Sequence, residues 1–561
     1  MQASERTALV RLLTIYRSLA RRRACACAAI FLLTLLLRAA LLPWLPIPKP
    51  VIHDEFSYLL AGDTYAHGRL TNPPHPFWQH FETFHELQQP TYASKYQPLQ
   101  GLTLAFGERF FNQPWIGVFL STALMCASIC WMLQGWIAPE WALLGAFLFT
   151  LRIGVLSYWM NSYEGGSVPA IGGALAVGAV ARIWRGSEHG RAELGHAVTW
   201  AIGISVLMLS RPYDAALFAI SSAALVAWMH RKSTRLFFRA AVPALIVLSV
   251  TLAAIAYTDY RVTGNALSLP YLVYEQQYGV ASTFFMLPPR PEPRYRHAVM
   301  RDFFARSDME RWEESRTALV AQFLAKAYIP SDFFFGFWPL AVPLLLAPFA
   351  LKTTEERVCA GLLAACLVPL ELLMAVLPHY AAAFAGVFYL RFLQSLKHLS
   401  AWKKPFGPLL AAAVPTLFVL AFLNSAIGLA RAGGEPVPLA HGRDSFSRVL
   451  AERGSRFGAA RDAMDRDLAA LPGGQLVLVR YQPGHDPRGL EWVFNHADID
   501  GSRVVWAREM SPAEDAPFLD YYRERHVWLV EPDATPPRLT PYSAAQPVLS
   551  DATVAIKASL P

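Results

Sequence analysis

Runs of about 20 apolar residues recur through this chain, separated by short loops that carry clustered arginines and lysines. A stretch of that length is what an α-helix needs to cross a bilayer. Candidate spans lie at 24–46, 115–136, 141–160, 165–184, 197–210, 213–230, 237–257, 333–351, 358–377, 381–397 and 405–425. They predict an α-helical polytopic membrane protein with about eleven transmembrane helices. Composition agrees, because only 16% of the 561 residues are charged and 54% are hydrophobic, where soluble domains carry about 25% charged residues.

The basic clusters set an orientation. They lie at Arg21–Arg23, Arg182/Arg185/Arg191, Arg231/Lys232/Arg235/Arg239, Lys352/Arg357 and Lys397/Lys403/Lys404. With a cytoplasmic N-terminus, all five fall on the cytoplasmic side, as the positive-inside rule requires. The net charge of +8 is thereby explained by topology, and a nucleic-acid partner is not expected. The apolar run after Arg23 shows no convincing small-x-small cleavage site, so it is read as an uncleaved first span. The six cysteines, Cys25, Cys27, Cys126, Cys130, Cys359 and Cys366, lie in or beside apolar runs, which encodes no disulfide framework.

The expected organisation is therefore a cytoplasmic N-terminus (1–23), a transmembrane region (24–429) with outer loops at 47–113 and 258–332, and an extracytoplasmic tail (430–561). Cytoplasmic loops are short, with no room for a nucleotide-binding domain. The tail reads as a small α/β domain. A helix is expected over 443–471, and Val- and Trp-rich strands are expected at 474–481, 502–508 and 525–531.

Ionisable residues gather at the outer boundary. Just after the first span comes His53-Asp54-Glu55-Phe56-Ser57-Tyr58, with apolar positions 56, 59 and 60 at helical spacing. Asp54 and Glu55 would open this helix, where negative charge is favoured. One reading is that they only cap it; the other is that they do chemistry. The same loop holds Lys95-Tyr96-Gln97-Pro98 before the second span. Glu164 lies in the outer turn 161–166, Arg211 and Asp214 interrupt the run between two short spans, and His379-Tyr380 follow Pro378. Each has a plain alternative: a solvated turn for Glu164, an internal ion pair for Arg211, and an interfacial anchor for Tyr380. The five histidines of the first loop show no zinc-ligand spacing.

The acidic pair after the first span, the short amphipathic helix, and a Lys-Tyr-x-Pro segment before the second span together resemble the GT-C glycosyltransferases. The likeness is to bacterial members related to protein mannosyltransferases and aminoarabinose transferases, over about residues 24–400. Where many relatives show Tyr-Pro-Pro, this chain has Tyr96-Gln97-Pro98. The resemblance implies an inner-membrane enzyme that moves a sugar from a polyprenyl-phosphate donor to a lipid, glycan or protein acceptor outside the cytoplasm, with inversion. It implies that Asp54 is the general base and that Glu55 orients substrate or helps bind a cation. Lys95, Tyr96, Arg211, His379 and Tyr380 are the candidate substrate contacts. Glu164, with Asp54, is the candidate holder of a divalent cation, magnesium or manganese by its oxygen donors. The rival reading is a lipid or polysaccharide transporter or flippase. Against it, no two related halves are detected and the charges do not sit at mid-bilayer depth.

Overall fold

The computed structural model describes residues 3–188, 194–229, 234–336, 343–431, 454–488 and 491–542. Arg191, Arg231, Lys232, the centre of the 333–351 run and the first part of the expected 443–471 helix lie outside the described residues.

The chain is a membrane protein. Among the described residues, five helices are long and apolar enough to cross a bilayer: Arg23–Ala40, Trp115–Trp136, Ser167–Gly186, Ala241–Thr263 and Phe406–Arg431. Leu194–Met208 and Pro212–Trp228 are shorter apolar helices. Trp115–Trp136 and Ser167–Gly186 are mostly buried by their neighbours, whereas little of Ala241–Thr263 is buried, and Leu245, Ile246 and Val250 on it are exposed. Apolar faces of that extent are stable only against lipid.

Other runs read as spans are shorter than expected, for identifiable reasons. The 141–160 run is helical only as Pro139–Phe149 and then opens into a wider π-type turn over Thr150–Gly154. Arg152 lies in that turn, and its guanidinium donates to the carbonyls of Asp332 (2.7 Å) and Phe333 (3.1 Å). A cation in an apolar run must find such acceptors, and reaching them ends the helix. In the 358–377 run the helix Thr354–Leu370 stops early. The carbonyls of Glu371 and Leu373 just beyond it accept from the Lys326 ammonium at 3.0 and 2.6 Å. The 381–397 run becomes a 3-10 segment, Pro378–Phe384, followed by the helix Ala385–Ser400, buried on almost every side.

The first loop folds onto these helices. Its helix His53–Ala66 packs along Pro98–Phe111, which starts with proline at its first position, where the missing N–H is harmless. Between them, β1 (Glu86–Leu87) and β2 (Ala93–Ser94) form a small antiparallel ribbon with Glu86 opposite Ser94. The second loop contributes Pro270–Tyr278 and the aromatic residues Phe303 and Phe304, which share a core with Phe84, Leu87 and Ala93 of the first.

In the tail, β3 (Gln475–Val479), β4 (Val504–Arg508), β5 (His526–Glu531) and β6 (Arg538–Pro541) form one sheet in the order β4-β3-β5-β6. The first three lie within the runs read as strands. β3 is parallel to both β4 and β5, and β6 is antiparallel to β5. Parallel pairs need helical crossovers; Pro512–Tyr521 supplies one between β4 and β5. The sheet is not a free appendage. Leu476, Leu478 and Val505 share a core with Leu60, Phe81 and Tyr92 of the first loop, and Phe494 stacks on Phe56 at 4.1 Å.

Candidate active site

The adjacent carboxylates Asp54 and Glu55 have different surroundings. Successive residues at a helix start point about 100° apart, so one can turn inward while the other stays partly exposed. Glu55 turns inward and is fully buried. One of its oxygens accepts from the Val51 and Ile52 N–H groups (2.8 and 3.2 Å), and the other from the Tyr163 N–H at 2.9 Å. It therefore caps the helix and ties the first loop to the 161–166 turn. Burial outweighs these hydrogen bonds and pushes its carboxyl up to about 7.

Asp54 keeps 27% of its side chain exposed. One oxygen accepts from the Tyr96 hydroxyl, and the other lies 3.8 Å from His85 Nε2. The ribbon explains why residues so distant in sequence meet here. His85 immediately precedes β1 and Lys95-Tyr96 follow β2, so the antiparallel register sets them side by side, with Lys95 N–H donating to the His85 carbonyl at 3.1 Å. His85 adopts φ +64°, a conformation unusual for a bulky residue. It is held there by the Tyr274 hydroxyl, which accepts from its N–H at 2.7 Å, and by Ser57, which donates to its carbonyl at 2.6 Å. Burial, then the charge of Lys95, holds its imidazole well below the usual range, hence neutral.

Lys95 is buried and ion-paired with Glu275 at 3.2 Å. Its ammonium lies 4.6 Å from the Tyr274 ring centre, 4.7 Å from Tyr271 and 5.5 Å from Tyr96, a cation–π enclosure. The Tyr96 ring in turn stacks on Tyr58 at 4.5 Å.

Glu164 approaches from the turn between two spans. It is buried, with one oxygen 3.4 Å from His379 Nε2 and the other without a hydrogen-bond partner among the described residues. Burial first, then the charges of Asp54 and Glu55, raise its carboxyl well above the usual range, while Arg211 opposes. Burial and Arg211 hold His379 well below its usual value. The Nδ1 of His379 lies 3.0 Å from the Tyr158 hydroxyl. Arg211 donates to Asp214 at 2.6 Å and sits 4.6 Å from the Tyr380 ring centre. Burial pushes the Tyr380 hydroxyl up to about 12; Arg211 lowers it, while Asp54 and Glu164 raise it. Asp54, Glu164, Arg211 and Tyr380 thus act on one another electrostatically, although they come from four separate stretches of chain.

The structure brings Asp54, Tyr96, Glu164, Arg211, His379 and Tyr380 together, with Lys95 beside them. It turns Glu55 away into the protein as a clamp. Tyr58, His85, Tyr274 and Glu275 join the cluster without having been singled out. Glu275 follows Tyr271 by one helical turn, a spacing that places both on one face of Pro270–Tyr278, but nothing in the sequence connects that face to Lys95. Among the described residues, the one group of three metal-ligating side chains with donor atoms within 4.8 Å is Asp63, His67 and Glu108, not a set containing Asp54 or Glu164.

No family model and no curated protein matches this sequence. Solved structures do. ArnT from Cupriavidus metallidurans, bound to undecaprenyl phosphate, is 12% identical and aligns over 90% of this chain and 92% of its own, with a TM-score of 0.51. The archaeal oligosaccharyltransferase AglB from Archaeoglobus fulgidus, in complex with an inhibitory peptide and a dolichol-phosphate, is 12% identical over 90% of this chain and 69% of its own (TM-score 0.46). Arabinofuranosyltransferase AftD from Mycobacteria is 14% identical over 91% and 35% (TM-score 0.45). The likeness to ArnT shows that this chain has a GT-C fold.

Proposed function

We propose that this GT-C-fold chain is a membrane glycosyltransferase that moves a sugar from a polyprenyl-phosphate donor to an acceptor hydroxyl or amine on the extracytoplasmic side, in the inner membrane of a bacterium. The observation that carries this reading is the environment of Asp54. It is a partly exposed carboxylate, oriented by a tyrosine hydroxyl, at the meeting point of four chain segments that also supply cations. The undecaprenyl phosphate bound to ArnT supports the donor class.

An acceptor nucleophile must lose a proton as it attacks, and a carboxylate within hydrogen-bond reach takes it. Asp54 has that role. Tyr96 holds one of its oxygens, and the other lies 3.8 Å from His85 Nε2. Attack from the face opposite the leaving phosphate inverts the anomeric carbon. The departing lipid phosphate carries growing negative charge, which fixed cations stabilise. Arg211 and Lys95 are the candidates. Each is already paired, with Asp214 and Glu275 respectively, so each is oriented before substrate arrives. Glu55 positions the helix that carries Asp54 and is not itself a contact.

The unpartnered buried oxygen of Glu164, facing the field of Asp54, fits an oxygen-preferring divalent cation such as magnesium or manganese. Glu164 and Asp54 would hold it through their carboxylate oxygens. Such an ion supplies charge stabilisation to the leaving phosphate.

The decisive experiment incubates the purified protein in lipid with radiolabelled polyprenyl-phosphate sugars and a membrane extract as acceptor. Wild type should transfer label. Folded Asp54→Asn should lose at least about 100-fold, the usual contribution of a general base. Undiminished transfer by Asp54→Asn would move the base elsewhere. Lipid-linked sugar that crosses the bilayer without transfer would favour the flippase reading.

A further inference from the structure

We infer that Asp63, His67, Glu108 and His496 form a binding site for a divalent transition-metal ion of the zinc class, where the tail meets the first-loop helix. Asp63 and His67 are four residues apart on His53–Ala66, the spacing that sets two side chains on one helical face. His67 Nδ1 lies 2.9 Å from an Asp63 carboxylate oxygen. Glu108 comes from the neighbouring helix Pro98–Phe111, and its carboxylate brings the three donor atoms within 4.8 Å of one another. From the tail, His496 Nδ1 lies 3.4 Å from the second Asp63 oxygen. The adjacent Ala497 N–H donates to that oxygen at 2.8 Å, which seats this stretch of the tail against the helix.

Two features point to a metal rather than a simple ion-pair cluster. The Glu108 carboxylate accepts no hydrogen bond among the described residues, and the charge facing it is another carboxylate, compensated only by imidazoles. Two imidazoles and two carboxylates are also a donor set that zinc accepts, whereas magnesium and calcium favour all-oxygen shells. Nine residues of helix separate Asp63 from Asp54, about 14 Å of axial rise, so this ion would take no part in transfer. It would fasten the tail to the helix that carries Asp54.

The test uses the full chain in detergent, stripped with a chelator, titrated with Zn²⁺ by calorimetry and with Co²⁺ by visible absorbance. Wild type should bind at least one equivalent of Zn²⁺ and show Co²⁺ bands of a nitrogen- and oxygen-ligated site. His67→Ala and His496→Ala remove rings whose side chains are 62% and 78% exposed, so both variants should remain folded and monodisperse. Each should weaken binding at least tenfold. Equal affinity in both histidine variants, or absence of binding to folded wild type, would overturn the assignment.

Discussion

Neighbouring residues of one type can have opposite duties, and the Asp54–Glu55 pair shows what decides between them. Glu55 meets three backbone N–H groups in the interior; Asp54 meets a tyrosine hydroxyl and solvent. The consequence is a pH dependence that belongs to Glu55. Burial raises its carboxyl from 4.5 in the unfolded chain to about 7 in the folded protein. Between these values the folded state binds more protons than the unfolded state, so stability falls as pH rises through about 4.5 to 7 and then levels off. In Glu55→Gln this window disappears. Melting temperatures measured from pH 4 to 8 should therefore slope downward in wild type and stay flatter in the variant. Gln retains only one acceptor oxygen for three N–H groups. The variant should also be destabilised by about 1–3 kcal/mol at low pH, the cost of a buried donor left unmet.

At the scale of elements, the site depends on contacts that carry no substrate. The helix Ser167–Glu188 approaches the 3-10 segment Pro378–Phe384 so closely that a Cβ on Gly173 would lie 1.8 Å from the Ala383 carbonyl oxygen. Gly173→Ala must push that segment outward and carry His379 away from Glu164. Overpacking of this kind costs about 1–3 kcal/mol, and the expected result is a lower melting temperature together with reduced transfer. The tail is fixed by a second contact, Arg508 on β4. Its guanidinium donates to Glu491 and to the Glu82 carbonyl of the first loop, both at 2.6 Å, and both Arg508 and Glu491 are buried. Breaking a buried pair from one side costs about 3–5 kcal/mol. Glu491 keeps the Tyr481 hydroxyl and the Trp492 and Val493 N–H groups, which places Arg508→Ala toward the lower end. Limited proteolysis should then cleave the tail faster than in wild type.

For the whole molecule, the orientation proposed from the basic clusters is open to direct measurement. In a cysteine-free background, Glu524→Cys in the tail should react with a membrane-impermeant maleimide on intact spheroplasts. Lys403→Cys, in the last basic cluster, should react only after permeabilisation. The opposite pattern would invert the assigned topology and remove the extracytoplasmic acceptor with it. The shared core of the first loop, second loop and tail also means that the tail is part of the folded site region, not a domain merely displayed by a membrane anchor.

The sequence alone was enough for the class of fold, because helix length and apolarity are local properties that lipid reads directly. The strands of the tail were equally legible from runs of Val and Trp bounded by Gly, Pro and Asp. The resemblance carried by Asp54 and Lys95-Tyr96 pointed to a loop whose tyrosine and aspartate the structure joins by a hydrogen bond. Tertiary structure decided the rest. Arg152 and Lys326 reach for carbonyls in other segments and thereby accompany early helix ends in runs that looked long enough to span. The partners of Lys95 are Glu275 and Tyr274, about 180 residues away, and Glu55 finds Tyr163 across 108 positions. Periodicity reports which face of a helix is apolar, but it carries no information about which distant donor will meet a given carboxylate. That choice is made by packing, and here it leaves Asp54 partly exposed and turns Glu55 into the core.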